Sequence, residues 1–239
     1  MGKVPFISIF ACLTVALFGC HADHGKLRSA PQSTAESAST AAQTLAVQAD
    51  PVVPVKDSRP VLVCFGDSLT AGAGTDAGQS YPDYLQGALD QRHIRYRVDN
   101  QGVSGDTTKD GVARIVNVLM QRPVIVVVEF GGNDGLRGLP IADTRANLDR
   151  IVAAIKDSGA QVVLAGISLP PDYGPDYIRQ FDAIYPAIAK RYHVPLLPFL
   201  FKDVYGVPGM MQADRTHATA SGNQQVARNL LPLVLPLLK

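Results

Sequence analysis

From Arg59 onward the chain alternates short β-branched runs with longer amphipathic stretches. That alternation restricts the fold more than any other feature, because strand, helix and strand in succession close as a parallel sheet covered by helices. Five runs read as strands: Val61–Phe65, Tyr96–Val98, Val124–Glu129, Gln161–Gly166 and Val194–Leu197. Val112, Ile115, Val116 and Leu119 recur at helical spacing, as do Ile141, Leu148, Ile151, Val152 and Ile155, so both segments should lie as helices on the sheet. A last helix begins near Ser221 and carries Val226 and Leu230. Pro232 and Pro236 are expected to break or end it.

The first 58 of the 239 residues have a different texture. Lys3 precedes an apolar run from Val4 to Gly19, which as a helix rises about 24 Å, short of the roughly 30 Å hydrocarbon core. Residues 1–20 therefore read as an export signal rather than a membrane span. Leu17-Phe18-Gly19-Cys20 resembles the bacterial lipoprotein box, with Cys20 as the lipidated residue and the protein held at a membrane in the periplasm. Ordinary cleavage near Cys20-His21-Ala22, giving a soluble exported protein, is the competing outcome. Residues 21–58 contain no aromatic, and 22 of the 38 are Ala, Ser, Thr, Pro or Gln, so this stretch reads as a disordered linker. As a flexible coil it would span roughly 35 Å. The folded body is then 59–239.

Composition removes several functions. Twenty-two Lys+Arg against 21 Asp+Glu leave a net charge of +1, which gives no basic field for a nucleic-acid backbone. Cys12, Cys20 and Cys64 are too few and too scattered for paired-thiolate metal binding, and His21 and His24 on a linker lack a third ligand. No metal or cofactor is called for. Nothing in the sequence sets an oligomeric state.

In open parallel sheets, ligands bind where loops leave the carboxyl ends of strands. Those loops carry Gly66-Asp67-Ser68-Leu69-Thr70, Val103-Ser104-Gly105-Asp106-Thr107, Gly131-Gly132-Asn133-Asp134 and Asp214-Arg215-Thr216-His217. A serine after a buried strand and a tight glycine turn can present its hydroxyl as a nucleophile, which makes Ser68 the candidate. His217 three residues after Asp214 lets a short loop hold one imidazole nitrogen on the carboxylate while the other faces the serine. The amides of Gly105 and Ser68 and the side-chain amide of Asn133 are suitable donors for an oxyanion. Taken singly, each element is as readily an ordinary turn. Four of them on successive loops, each with a different required role, point to acyl transfer.

These four blocks resemble those of GDSL-type members of the SGNH hydrolase superfamily, over about Val61 to Leu231. Leu169-Pro170-Pro171-Asp172-Tyr173-Gly174 and Val194-Pro195-Leu196-Leu197-Pro198-Phe199 are similar to its exported thioesterase/lysophospholipase/arylesterase branch. The resemblance implies a flavodoxin-like three-layer sandwich with a five-stranded parallel sheet, no metal and no organic cofactor. It also implies a serine esterase acting on small acyl esters or thioesters, with Ser68, Asp214 and His217 catalytic and Ser68, Gly105 and Asn133 in the oxyanion hole. One departure stands out: Ala218 follows the histidine where the family usually has proline, leaving that loop less rigid. Two alternatives stay open, a carbohydrate acetylesterase and a non-catalytic exported binding protein on the same fold.

The remaining chemistry-bearing residues take structural readings. Asp67 is expected to be a turn partner and Asp134 a support for the Asn133 turn. Gly72–Ala77 resembles a dinucleotide fingerprint in form, but it starts too far beyond the strand and reads as a substrate-edge loop. Ser168 lacks the final glycine of a nucleophile elbow. Cys64 lies inside an apolar strand, and His93 and His193 have no aspartate at useful spacing.

Overall fold

The computed structural model describes residues 57–238. The expected export signal, Cys20, His21, His24 and nearly all of the linker lie outside them. In chain order the described residues form β1 (Val61–Gly66), α1 (Ser68–Ala71), α2 (Tyr81–Asp90), β2 (Arg97–Gly102), α3 (Thr108–Leu119), β3 (Ile125–Glu129), α4 (Gly132–Leu136), α5 (Ile141–Asp157), β4 (Gln161–Ala165), α6 (Pro175–Asp182), α7 (Ile184–Tyr192), β5 (Leu196–Leu197) and α8 (Ala220–Val234).

All five strands are parallel, in the order β2-β1-β3-β4-β5. Leu62 sits beside Ile125, Ile125 beside Gln161, and Leu164 beside Leu196. The β-branched runs of β1, β3 and β4 are buried on both faces, as covered parallel strands must be. Helix α2 packs with α8, while α3 packs with α5 and α5 with α7, giving the helical layers of an α/β sandwich. The strand order reverses between β1 and β3, so the crevice beyond their carboxyl ends is the topological switch point. Ser68 follows β1 there and Asn133 lies just beyond β3.

Three sequence expectations are corrected. The second strand runs to Gly102 rather than ending at Val98, because its polar residues Asp99, Asn100 and Gln101 still pair with Val63, Cys64 and Phe65 of β1. An edge strand can carry such residues half-exposed. The fifth strand is only Leu196–Leu197, without Val194 and Pro195. Helix α8 passes through Pro232 and ends at Val234, before Pro236. Pro232 and Arg228, whose carbonyl loses its partner, both lie on the exposed side, so the unpaired carbonyl faces solvent.

Candidate active site

The turn after β1 is built around a glycine. A Cβ on Gly66 would collide with Thr70 Oγ1 and with the backbone and carboxyl of Glu129, so no larger residue lets the chain double back there. Asp67 then caps α1, its Oδ1 accepting from Leu69 N at 3.0 Å, and Gly72 closes the helix in the left-handed region at φ 79°. Ser68 is the first residue of this short helix. Its amide is one of the N-terminal donors with no intrahelical partner.

The candidate base, His217, approaches from the C-terminal side of the chain. Asp214 Oδ1 accepts from the amides of Thr216 at 2.9 Å and His217 at 3.0 Å, so one carboxylate oxygen folds the loop around itself. Its Oδ2 lies 2.7 Å from His217 Nδ1, and His217 Nε2 lies 2.9 Å from Ser68 Oγ. A carboxylate only accepts, so Nδ1 carries the proton and the neutral ring presents Nε2 as acceptor to the serine hydroxyl. Partial burial pushes Asp214 up, but the His217 side chain and the two loop amides outweigh it and hold the carboxyl at about 2. The loop needs no proline after His217. Ala218 is buried and bridges to Met211, its carbonyl accepts from Gln212 Nε2 at 2.8 Å, and the His217 carbonyl accepts from Gln212 N at 2.8 Å.

Asn133 sits on α4, whose N-cap is Gly131 at φ 118°. Its Nδ2 donates to Asp67 Oδ2 at 3.1 Å and to the Asp106 carbonyl at 2.9 Å, which ties the loops after β1, β2 and β3 together. Gly105, at φ 88°, is exposed beside Asp106, and its carbonyl accepts from Arg137 Nη2 at 2.8 Å. Asp134 acts more widely than its own turn: it accepts from Thr108 N at 2.9 Å and from the hydroxyls of Thr108 and Thr144, joining α4 to α3 and α5. Nothing in the apolar spacing of α3 marks Arg114 as a site residue. Its guanidinium donates to the carbonyls of Gly66 at 2.7 Å and Gln101 at 2.8 Å and to Asp106 Oδ2 at 2.6 Å, and lies 4.5 Å from the Phe65 ring centre.

Beneath the Ser68 turn lie two buried acids. Glu129 Oε2 accepts from Thr70 Oγ1 at 2.8 Å and from Asp67 N at 3.4 Å. Burial, and then the nearby Asp67 charge, push Glu129 well above the ordinary carboxylate range. Burial likewise pushes Asp67 up to about 6, against the pull of the Leu69 amide and the Asn133 side chain. The sequence does contain a signal for Glu129, an acid closing an otherwise apolar strand.

A cavity of about 650 Å³ opens at Ser68 and His217, with Ile167, Leu169, Phe199 and Phe201 among its apolar walls. Asn133 lines it, whereas Gly105 and the segment Gly72–Ala77 do not. In that segment the Ala73 carbonyl accepts from Gln212 Nε2 at 2.8 Å, so it buttresses the histidine loop. Ser168 also lines the cavity and bonds Asp182 rather than any histidine. Cys64 is fully buried, and His93 and His193 are exposed in left-handed turns. Among the described residues no group of three or more His, Cys, Asp or Glu is placed to hold a metal ion, and no helix is long and apolar enough to cross a membrane.

The histidine poised between an acid and a serine hydroxyl, at the mouth of an apolar cavity, coincides with a sequence match of residues 64–225 to the GDSL-like lipase/acylhydrolase family. The chain belongs to that family. It is 42% identical over 178 residues to esterase TesA of Pseudomonas aeruginosa, covering 74% of this chain and 89% of that protein. It is 40% identical over 178 residues to thioesterase 1/protease 1/lysophospholipase L1 of Escherichia coli K12, covering 72% of this chain and 84% of that protein. The crystal structure of AlinE4, an SGNH-hydrolase family esterase, superposes with a TM-score of 0.63 at 41% identity, covering 76% of this chain and 97% of that one. This family member has the SGNH hydrolase fold and is a hydrolase acting on esters.

Proposed function

We propose that Ser68, His217 and Asp214 form the catalytic triad of a serine esterase that works through an acyl-enzyme. His217 Nε2 takes the Ser68 proton as Oγ attacks the ester or thioester carbonyl, and returns it to the leaving alcohol or thiol. Asp214 holds the tautomer and stabilises the imidazolium. Water then enters and attacks the acyl carbonyl as it gives a proton to the same nitrogen, and His217 passes that proton to Ser68 Oγ as the Ser68–acyl bond breaks and the acid leaves. The negative oxygen is received by the amides of Ser68 and Gly105 and by Asn133 Nδ2, which trades its Asp67 bond for the stronger acceptor.

The observation that carries this reading is the unbroken pair of hydrogen bonds from Asp214 through His217 to Ser68 Oγ, at 2.7 and 2.9 Å. The cavity volume of about 650 Å³ and its apolar walls favour an acyl chain over a bare acetyl group, and so an esterase, thioesterase or lysophospholipase over a carbohydrate deacetylase. Residues 1–20 are read as an export signal, Cys20 as its lipidated end and 21–58 as the tether, which the mass of the mature N-terminus checks. For the chemistry, a fluorophosphonate probe should label the wild-type protein at Ser68. Ser68→Ala should lose both labelling and ester hydrolysis while melting as the wild type does. Labelling that survives in that variant assigns the nucleophile elsewhere.

A further inference from the structure

One cation at the cavity has no employment in the fold. Arg215 lines the cavity, stands two residues before His217, and is exposed to solvent. Among the described residues its guanidinium meets no acceptor, carboxylate or ring within bonding distance. The neighbouring carboxylate does not claim it, because both Asp214 oxygens are taken by His217 and by the Thr216 amide. Arg137, by contrast, is spent on the Gly105 carbonyl at 2.8 Å and does not line the cavity. Among the lining residues Arg215 is therefore the one permanent cation. Its backbone also sits at φ 56°, in the left-handed region where glycine is the low-cost residue. Five non-glycine residues do so among the described ones, and of these Arg215 alone lines the cavity.

We infer that Arg215 binds an anionic group carried on the leaving alcohol or thiol, so that the enzyme prefers esters whose leaving group bears an oxyanion such as a phosphate or carboxylate. The reaction fixes which half of the substrate meets it. His217 Nε2 must reach the leaving oxygen or sulfur to protonate it, so the leaving group departs past the histidine loop that carries Arg215. The acyl chain is left the apolar walls at Ile167 and Leu169. An exposed and unpartnered guanidinium turns to an anion on the solvent side without giving up any bond and without the cost of burying its charge. Its planar fork matches two oxygens of one anion, which a point charge does not. Water around the pair also limits the gain to a few fold and makes it sensitive to salt.

This inference rests on the proposed esterase reading, and the test separates the two. The protein is assayed with three hexanoate esters of one shape, p-sulfonatophenyl, p-sulfamoylphenyl and p-trimethylammoniophenyl, whose leaving groups are anionic, neutral and cationic. The quantity read is the ratio of kcat/KM for the sulfonate to that for the sulfonamide, which cancels any general loss of activity. Arg215→Gln should lower this ratio roughly three- to fivefold at low salt, the scale of an exposed ion pair, with the change carried by KM. Arg215→Glu should turn the preference towards the trimethylammonium ester. In the wild type the ratio should fall as salt rises from about 0.01 M to about 1 M, which shortens the Debye length from roughly 30 Å to roughly 3 Å. A wild-type ratio indifferent to salt overturns the inference, and that measurement needs no variant to fold. A ratio equal in wild type and Arg215→Gln also overturns it. So does an Arg215-dependent gain for esters whose carboxylate sits at the end of the acyl chain, since it would set the guanidinium over the acyl half. If none of the esters is hydrolysed, the esterase reading itself has failed.

Discussion

Two aspartates flank Ser68, and the chain treats them in opposite ways. Asp214 is half-exposed on a loop, surrounded by donors, and held at about 2. Asp67 is buried in the turn that leads to Ser68, beside Glu129, and pushed up to about 6. The same carboxyl group is thus kept charged where it meets the His217 imidazole, and made reluctant to ionise where it shapes a turn. Solvent and donor count, not residue type, decide between the roles.

If that division of labour is right, damage on the exposed side is chemical and damage on the buried side is structural. Asp214→Asn should lower kcat by roughly 10⁴, because the amide favours the wrong tautomer of His217, with a melting temperature close to that of the wild type. A thermal shift as large as the kinetic one would merge the two sides. Asn133 bridges them. Asn133→Ala should lower kcat by roughly 10² to 10³ with little change in KM, and Asn133→Asp should be worse, since it sets a negative charge against both the oxyanion and Asp67. An aspartate variant more active than the alanine one would assign Asn133 to turn support alone.

On the buried side, Glu129→Ala should cost about 2–4 kcal/mol of stability, because it opens a cavity and strips the acceptor from Thr70 Oγ1 and Asp67 N. Glu129→Gln keeps an acceptor and should cost less; urea unfolding of the pair ranks them. The smallest effect is a pH dependence. Asp67 titrates near 3.8 in the unfolded chain and about 6 in the folded one, so between those values the folded state holds the extra proton. Its contribution to stability is therefore most favourable below pH 4 and declines as the pH rises to about 6. Asp67→Asn should flatten that part of the melting-temperature profile. The Asp214 contribution runs the other way and lies lower, lost as pH falls from 3.8 towards 2. A slope from pH 4 to 6 unchanged in Asp67→Asn would place the titration elsewhere.

What the sequence by itself determined is whatever a short stretch of chain encodes locally. The runs at Val61, Ile125 and Val162 are apolar because both sheet faces are covered, and this is legible without coordinates. The Gly-Asp-Ser turn and the Asp-x-x-His loop close on themselves through bonds two or three residues apart, as at Asp67 to Leu69 and Asp214 to His217. Helix α2 is equally local but carries a fainter signal: Ser80 and Asp83 form a capping box with aspartate in the third position, where glutamate or glutamine is commoner. The tertiary structure alone decided the rest. How far β2 runs depends on pairing with β1, since its polar residues follow no apolar pattern of their own. Arg114 reaches from a helix to the ends of β1 and β2, Glu129 lies under a turn 59 residues earlier at Thr70, and Asp182 meets Ser168 across a cavity wall. Such contacts join residues that folding brings together, and a pattern read along the chain holds no record of which distant donor an acid will meet or miss.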